Sequence, residues 1–217
     1  MESPRREIKT RDRQWAKDLA KFVTTKTNLT PNQISVLSVF CSFIAFLGYC
    51  GYYYVPENLY FALPIIAILG IQTRLLCNLI DGMVAIEGGK KSAVGDIFNE
   101  FPDRLSDTLI FIGAGVAGGT FLSFSLGLFA ALFAMFTAYT RVLGGAIGTK
   151  QYFCGPMAKQ HRMALLTVVN IICIFDFLIP ELHSIVYPAA LLIITLGSTA
   201  TVCRRICHIA AELREKA

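Results

Sequence analysis

The sequence predicts an all-α polytopic membrane protein, with six transmembrane helices preceded by an N-terminal amphipathic helix at the membrane surface. Three observations carry this prediction. The 217 residues are 54% hydrophobic and 16% charged, with a mean hydropathy of +0.56, whereas soluble domains carry about 25% charged residues. The apolar runs reach the roughly 20 residues that a helix needs to cross a bilayer, and they are continuous rather than alternating, which argues against a transmembrane barrel. The basic residues also fall in alternate connections between these runs.

The chain divides into a basic segment, 1–29, and a six-helix membrane domain, 30–217. Residues 1–9 read as charged and irregular. From about Thr10 to Asn28, Trp15, Leu19, Phe22 and Val23 recur on one helical face, with Lys17, Asp18 and Lys21 opposite. Such a helix lies in the headgroup region or packs on the protein's own cytoplasmic side, and the two are compatible. Thr30-Pro31-Asn32-Gln33 is a helix start: Thr30 caps, Pro31 suits the first position and Gln33 completes a capping box.

Six spans follow, over about 33–55, 59–86, 93–117, 121–148, 163–179 and 185–207. Gly144 and Gly148 are spaced for close helix contact. Glu87-Gly88-Gly89-Lys90-Lys91-Ser92 separates the second and third spans, and a polar loop holding Lys150, Lys159, His161 and Arg162 separates the fourth and fifth. Loops 56–58, 118–120 and 180–184 contain no Lys or Arg, while eight of the twenty basic residues precede Ile34. The positive-inside rule therefore puts both termini, the 87–92 loop and the 149–162 loop in the cytoplasm. The net charge of +5 is a juxtamembrane signal for anionic headgroups, with no nucleic-acid partner implied. Of the seven cysteines, none forms a CxxC pair. His183 reads as a loop residue, and Tyr52-Tyr53-Tyr54 as a membrane-interface cluster.

A polar constellation interrupts this apolar chain. Asn78, Asp81 and Ala85 share one face of the second span, and Gly95, Asn99 and Asp103 share one face of the third. Both rows fall near the cytoplasmic ends of their helices. Carboxylates placed there are costly unless they serve a site, a partner or a pathway.

The spacing carries a resemblance. Asn78-x2-Asp81-Gly82-x2-Ala85-Ile86-x8-Gly95-x3-Asn99-x3-Asp103 resembles D-x2-D-G-x2-A-R-x8-G-x3-D-x3-D, the signature of the integral-membrane CDP-alcohol phosphotransferases, with every spacing kept over 26 positions. The Asn pair at the first and third positions is similar to a divergent bacterial branch of that family. The resemblance implies a six-helix fold, a homodimer, and an active site facing the cytoplasm from an integral, bacterial inner-membrane location. It implies transfer of a phosphatidyl group from a CDP-activated donor, CDP-diacylglycerol above all, to the hydroxyl of a polar alcohol or polyol-phosphate acceptor, with release of CMP.

In the family, four Asp residues hold two divalent cations on the donor diphosphate. Carried over, Asp81 and Asp103 are metal ligands, Asp103 is also the catalytic base, and Asn78 and Asn99 stand where charged ligands would. Mg²⁺ or Mn²⁺ is the expected cofactor, as one or two ions; an Asn carbonyl ligates a hard cation but adds no charge. Gly82, Ala85 and Gly95 would line the donor nucleotide pocket. Because Ile86 replaces the motif's Arg, Arg74, one turn before Asn78, is the candidate cation for the donor phosphates, with Lys90/Lys91 after Ile86 also at hand. Arg141, Lys159 and Arg162 would receive the phosphate of the acceptor. Two other readings of the same residues are an inactive relative that keeps nucleotide or lipid binding, and a transport pathway through the polar cluster.

Overall fold

The computed structural model describes residues 13–27, 29–87, 93–176, 178–179 and 181–216. The irregular segment 1–9 and the Lys90/Lys91 loop lie outside these residues. Within them all regular structure is helical: α1 Gln14–Lys26, α2 Pro31–Cys50, α3 Ala62–Glu87, α4 Gly95–Ala117, α5 Phe121–Ala146, α6 Lys159–Cys173 and α7 Leu182–Lys216, with short 3-10 turns at Gly51–Tyr53 and Glu57–Leu59.

The start of α2 follows its local chemistry. The Thr30 hydroxyl accepts a hydrogen bond from the Gln33 backbone N–H at 3.3 Å, and the Gln33 side chain accepts one from the Thr30 N–H at 2.9 Å. Pro31, which has no N–H to lose, occupies the first turn. α1 buries Ala16 and Ala20 against Met83 of α3, while Leu19 and Val23 pack around Ile34, Ile80 and Val84. Trp15 and Phe22 stay more than half exposed. The face defined by Trp15, Leu19, Phe22 and Val23 is therefore split between protein contact and surface.

Four helical segments are long and apolar enough to cross a membrane: Pro31–Tyr53, Glu57–Ile86, Phe121–Ala146 and Leu182–Lys216. Six spans were expected. α4 falls short because Asp96, Glu100, Asp103, Arg104 and Asp107 interrupt its hydropathy, and α6 because it has only 15 residues and opens on Lys159 and Arg162. α4 nevertheless packs against α2, α5 and α7, and α6 packs against α3 and α7.

Small residues set how close these helices come. A Cβ on Gly70 of α3 would lie 2.6 Å from the Ala45 nitrogen and the Cys41 carbonyl oxygen of α2. One on Gly127 of α5 would lie 2.6 Å from the Phe111 carbonyl oxygen of α4. Along α2, the hydroxyls of Ser35, Ser38 and Ser42 each donate to a carbonyl three or four residues back, at 3.1, 2.6 and 2.9 Å. Ser38 and Ser42 are thereby satisfied within their own helix, whereas the Ser35 hydroxyl also reaches Asp81 of α3. In the main core, Asn170 donates to the Tyr49 hydroxyl and accepts from the Tyr187 hydroxyl, both at 2.8 Å, among Ile71, Phe111 and Leu191.

Several sequence expectations are corrected. Lys159, His161 and Arg162 lie in the first turn of α6, not in the preceding loop, and the last helix continues to Lys216. Polar side chains at a membrane boundary do not stop a helix, since its backbone bonds close within the segment. Gly144 does make a close contact, against Ile209, but Gly148 sits in the turn after α5 at φ +83°, where a Cβ would meet nothing within 4 Å. Tyr52 is buried, and its ring stacks on His183 with centroids 4.5 Å apart. His183 itself lies in the first turn of α7, with its Nδ1 2.9 Å from Asp176 Oδ2.

Candidate active site

The two polar rows meet where α3, α4 and α6 converge. Asn78 of α3 donates its Nδ2–H to Asp103 Oδ1 of α4 at 2.7 Å. Lys159 of α6 puts Nζ 2.5 Å from Oδ1 and 2.6 Å from Oδ2 of the same carboxylate. Arg74, one turn before Asn78, adds Nη2 at 3.4 Å from Asp103 Oδ1, and Arg104 lies 3.6 Å from Oδ2. Pro102 precedes Asp103 within α4 and withholds one helical N–H next to it. The Asp103 side chain is 15% exposed and that of Lys159 is 24% exposed, so the pair sits at the mouth of the cluster.

A second carboxylate lies one turn deeper. Asp107, 3% exposed, accepts from Arg74 Nη2 at 2.7 Å and from Arg162 Nη2 at 3.0 Å. Arg162 also donates to the Met157 carbonyl oxygen at 3.0 Å and the Thr137 hydroxyl at 3.3 Å. Arg74 and Arg162 are among the largest fully enclosed side chains of the chain. A charge so placed is tolerated because it is paired. Asp107 thereby locks α3, α4 and α6 together directly behind Asp103.

Asp81 has a different environment. It is 5% exposed, its Oδ2 accepts from the Ser35 hydroxyl of α2 at 2.5 Å, and its Oδ1 is buried with no hydrogen-bond partner. Among the described residues no Lys, Arg or His forms an ion pair with it. A buried carboxylate oxygen without a donor is suited to a cation. The residues fit one divalent ion there, with the Asn78 amide oxygen one turn away on the same face as a neutral ligand. No group of three or more His, Cys, Asp or Glu among the described residues is arranged to hold a metal.

The other sequence candidates spread out. Asn99 shares a helical face with Asp103 but is exposed, and Gly82, Ala85 and Gly95 are half-buried. Arg141 is occupied elsewhere: Nη2 lies 2.5 Å from Glu100 Oε1, Nη1 donates to Gln151 at 3.0 Å, and the guanidinium stacks over Phe153. Arg141, Lys159 and Arg162 therefore engage three different carboxylates instead of lining one pocket. The Arg74 guanidinium bridges Asp103 and Asp107.

The loop leading into α6 is strapped to α7. Tyr152 donates to Glu212 at 2.7 Å, the Met157 N–H donates to Thr201 at 3.0 Å, and Arg205 bonds the carbonyl oxygens of Cys154 and Thr137. Gly155, at φ +129°, passes so close to Thr201 that a Cβ would lie 2.4 Å from it. These contacts fix where α6 begins, and hence where Lys159 points. Ser35 and the Asp107 bridge to Arg162 were not assigned from sequence. A serine in an apolar helix and an aspartate one turn past a motif give no distinctive spacing.

No family model matches the chain. The phosphatidylinositol phosphate synthase of Streptomyces avermitilis is 26% identical over 150 residues, covering 67% of this chain and 61% of the relative. The chain thus aligns with less than two thirds of that protein's length. The archaetidylinositol phosphate synthase of Aeropyrum pernix is 28% identical over 160 residues, covering 74% and 77% respectively. Among solved structures, Mycobacterium tuberculosis phosphatidylinositol phosphate synthase with CDP-DAG bound superposes with a TM-score of 0.70 at 17% identity, over 91% of this chain and 94% of that one. The same enzyme in complex with manganese and citrate gives a TM-score of 0.67 over 89% and 88%.

Proposed function

We propose that this chain, which belongs to the CDP-alcohol phosphotransferase family, transfers a phosphatidyl group from a CDP-activated lipid to the hydroxyl of a polar acceptor. The observation that carries this reading is the convergence on Asp103. Within a motif whose spacings are all kept, groups from α3 and α6 bond the carboxylate that the motif makes the base. The named relatives are synthases of inositol-phosphate lipids, which favours an enzyme over an inactive relative or a transport pathway. It also makes a polyol phosphate, such as an inositol phosphate, the acceptor to test first.

The acceptor hydroxyl oxygen would form a new bond to the lipid-bearing phosphorus of the donor. The bond from that phosphorus to the CMP oxygen breaks, and CMP leaves. Asp103, oriented by Asn78 and Lys159, takes the hydroxyl proton. Asp81, with the Asn78 amide oxygen beside it, would hold a divalent cation, Mg²⁺ or Mn²⁺ suiting such oxygen ligands, and that cation would supply Lewis-acid stabilisation of charge on the donor diphosphate. Gly82, Ala85 and Gly95, small residues on the two motif helices, leave room for the nucleotide. Lys159, at the mouth of the cluster, is the candidate for the acceptor phosphate; Arg141 would join it only on leaving Glu100, and Arg162 stays held by Asp107.

In this reading α4 and α6 cross the bilayer with the four apolar segments, giving a six-helix domain over residues 30–217. The segment 1–29 is interfacial. Both termini and the site face the cytoplasm, in an inner-membrane homodimer. What supports it is the basic 149–162 connection and the absence of Lys and Arg from 56–58 and 118–120.

The test is metal-dependent CMP release from CDP-diacylglycerol by the protein in lipid nanodiscs, with inositol phosphate and other polyol phosphates as acceptors. Asp103→Asn is expected to lower the rate at least about 100-fold, the lower end of what a general base contributes. Nucleotide binding without CMP release from any acceptor would instead identify a binding protein.

A further inference from the structure

Asp81 and Asp103, the two carboxylates left in the motif, are in opposite electrostatic states. We propose that the Lys159 ammonium is a built-in cation that takes the place of one of the two divalent ions the motif implies, so that the chain binds a single divalent ion, at Asp81. This rests on the transferase reading and refines how its site is charged.

The first observation is the way Asp103 is filled. Lys159 Nζ approaches both carboxylate oxygens, at 2.5 and 2.6 Å, and so covers the lone pairs a metal would take. Asn78 donates to Oδ1 at 2.7 Å. Its amide is thus turned donor-first toward Asp103, an orientation unavailable to the Asp of the motif, which has no N–H to give. Arg74 and Arg104 add positive charge within 3.6 Å of the same carboxylate. A dication entering there would displace one ammonium and approach two guanidinium groups, at a cost that Asn78 and Asn99, both neutral, do nothing to offset.

The second observation is the contrast with Asp81. Its Oδ1 is buried without a partner, and among the described residues its one side-chain donor is the neutral Ser35 hydroxyl. The cation-accepting capacity of the cluster is therefore concentrated on one carboxylate.

The measurement is Mn²⁺ titration of the purified, nucleotide-free protein in nanodiscs, with free and bound Mn²⁺ read by electron paramagnetic resonance. The wild type is expected to bind one Mn²⁺ per chain, with no coupling between neighbouring ions. Asp81→Asn should lose that ion, Lys159→Arg should keep the count at one, and Lys159→Met should raise it to two. Two Mn²⁺ per wild-type chain would overturn the proposal whether or not Lys159→Met folds; so would a folded Lys159→Met protein that binds one ion or none. CMP release is followed in the same wild-type preparation. One Mn²⁺ without CMP release would count against the transferase reading while leaving the ammonium substitution standing, and two Mn²⁺ with CMP release would do the reverse.

Discussion

Asp107 carries one negative charge between two buried guanidinium groups, at 2.7 Å from Arg74 and 3.0 Å from Arg162. Removing that charge leaves both cations enclosed, with less to offset their lost hydration. Breaking one side of a buried ion pair costs about 3–5 kcal/mol. Asp107→Asn is therefore expected to lower unfolding stability by about that amount, read as a lower thermal denaturation midpoint in detergent micelles; an unchanged midpoint would mean that neither arginine depends on it. Residues of this kind were half legible in the sequence. The motif spacing selected Asp81 and Asp103, and Arg74 and Lys159 stood out as cations near it. Which cation meets which carboxylate was not legible, because Arg74, Asp107 and Arg162 lie on three helices and only their packing pairs them.

At the scale of elements, α4 carries its charged residues in its first half, among them Asp103 and Asp107, and is the helix on which the site depends. It is held from one side by α5, across Gly115 and Gly127, where the two backbones nearly touch. A larger side chain there must separate the helices, at a cost of about 1–3 kcal/mol for overpacking. Gly127→Leu should destabilise the fold by that order and shift α4 relative to α6, lengthening the contact between Asp103 and Lys159. The check is thermal stability measured together with Mn²⁺ affinity, and loss of stability with unaltered Mn²⁺ affinity would show that α2 and α7 position α4 without α5. Helix starts such as Thr30 were readable because capping is local. The start of α6 was not, since it is fixed by Thr201 and Glu212 of α7, far along the chain.

For the whole molecule, the proposed topology rests on the distribution of basic connections. In a cysteine-free background, Glu57→Cys should react with a membrane-impermeant maleimide in intact cells or spheroplasts, and Lys150→Cys only after permeabilisation. Glu57 opens the 3-10 turn between α2 and α3, and Lys150 lies between α5 and α6. The opposite pattern would invert the topology and place the Asp103 cluster on the other face of the membrane.

By itself the sequence determined the helical class, the capped entry to α2, and the two polar rows with their fixed spacing to one another. These follow from hydropathy, local backbone chemistry and helical period, all of which act over a few turns. Tertiary structure alone decided that α1 leans on α3, that Asp107 locks three helices, and that Lys159 rather than Arg141 meets Asp103. Those outcomes depend on how close the helices approach, and that is set by glycine and serine contacts between segments many residues apart. In a low-dielectric interior, an approach of a few ångströms decides whether a carboxylate is neutralised by an ammonium or left open to a divalent cation.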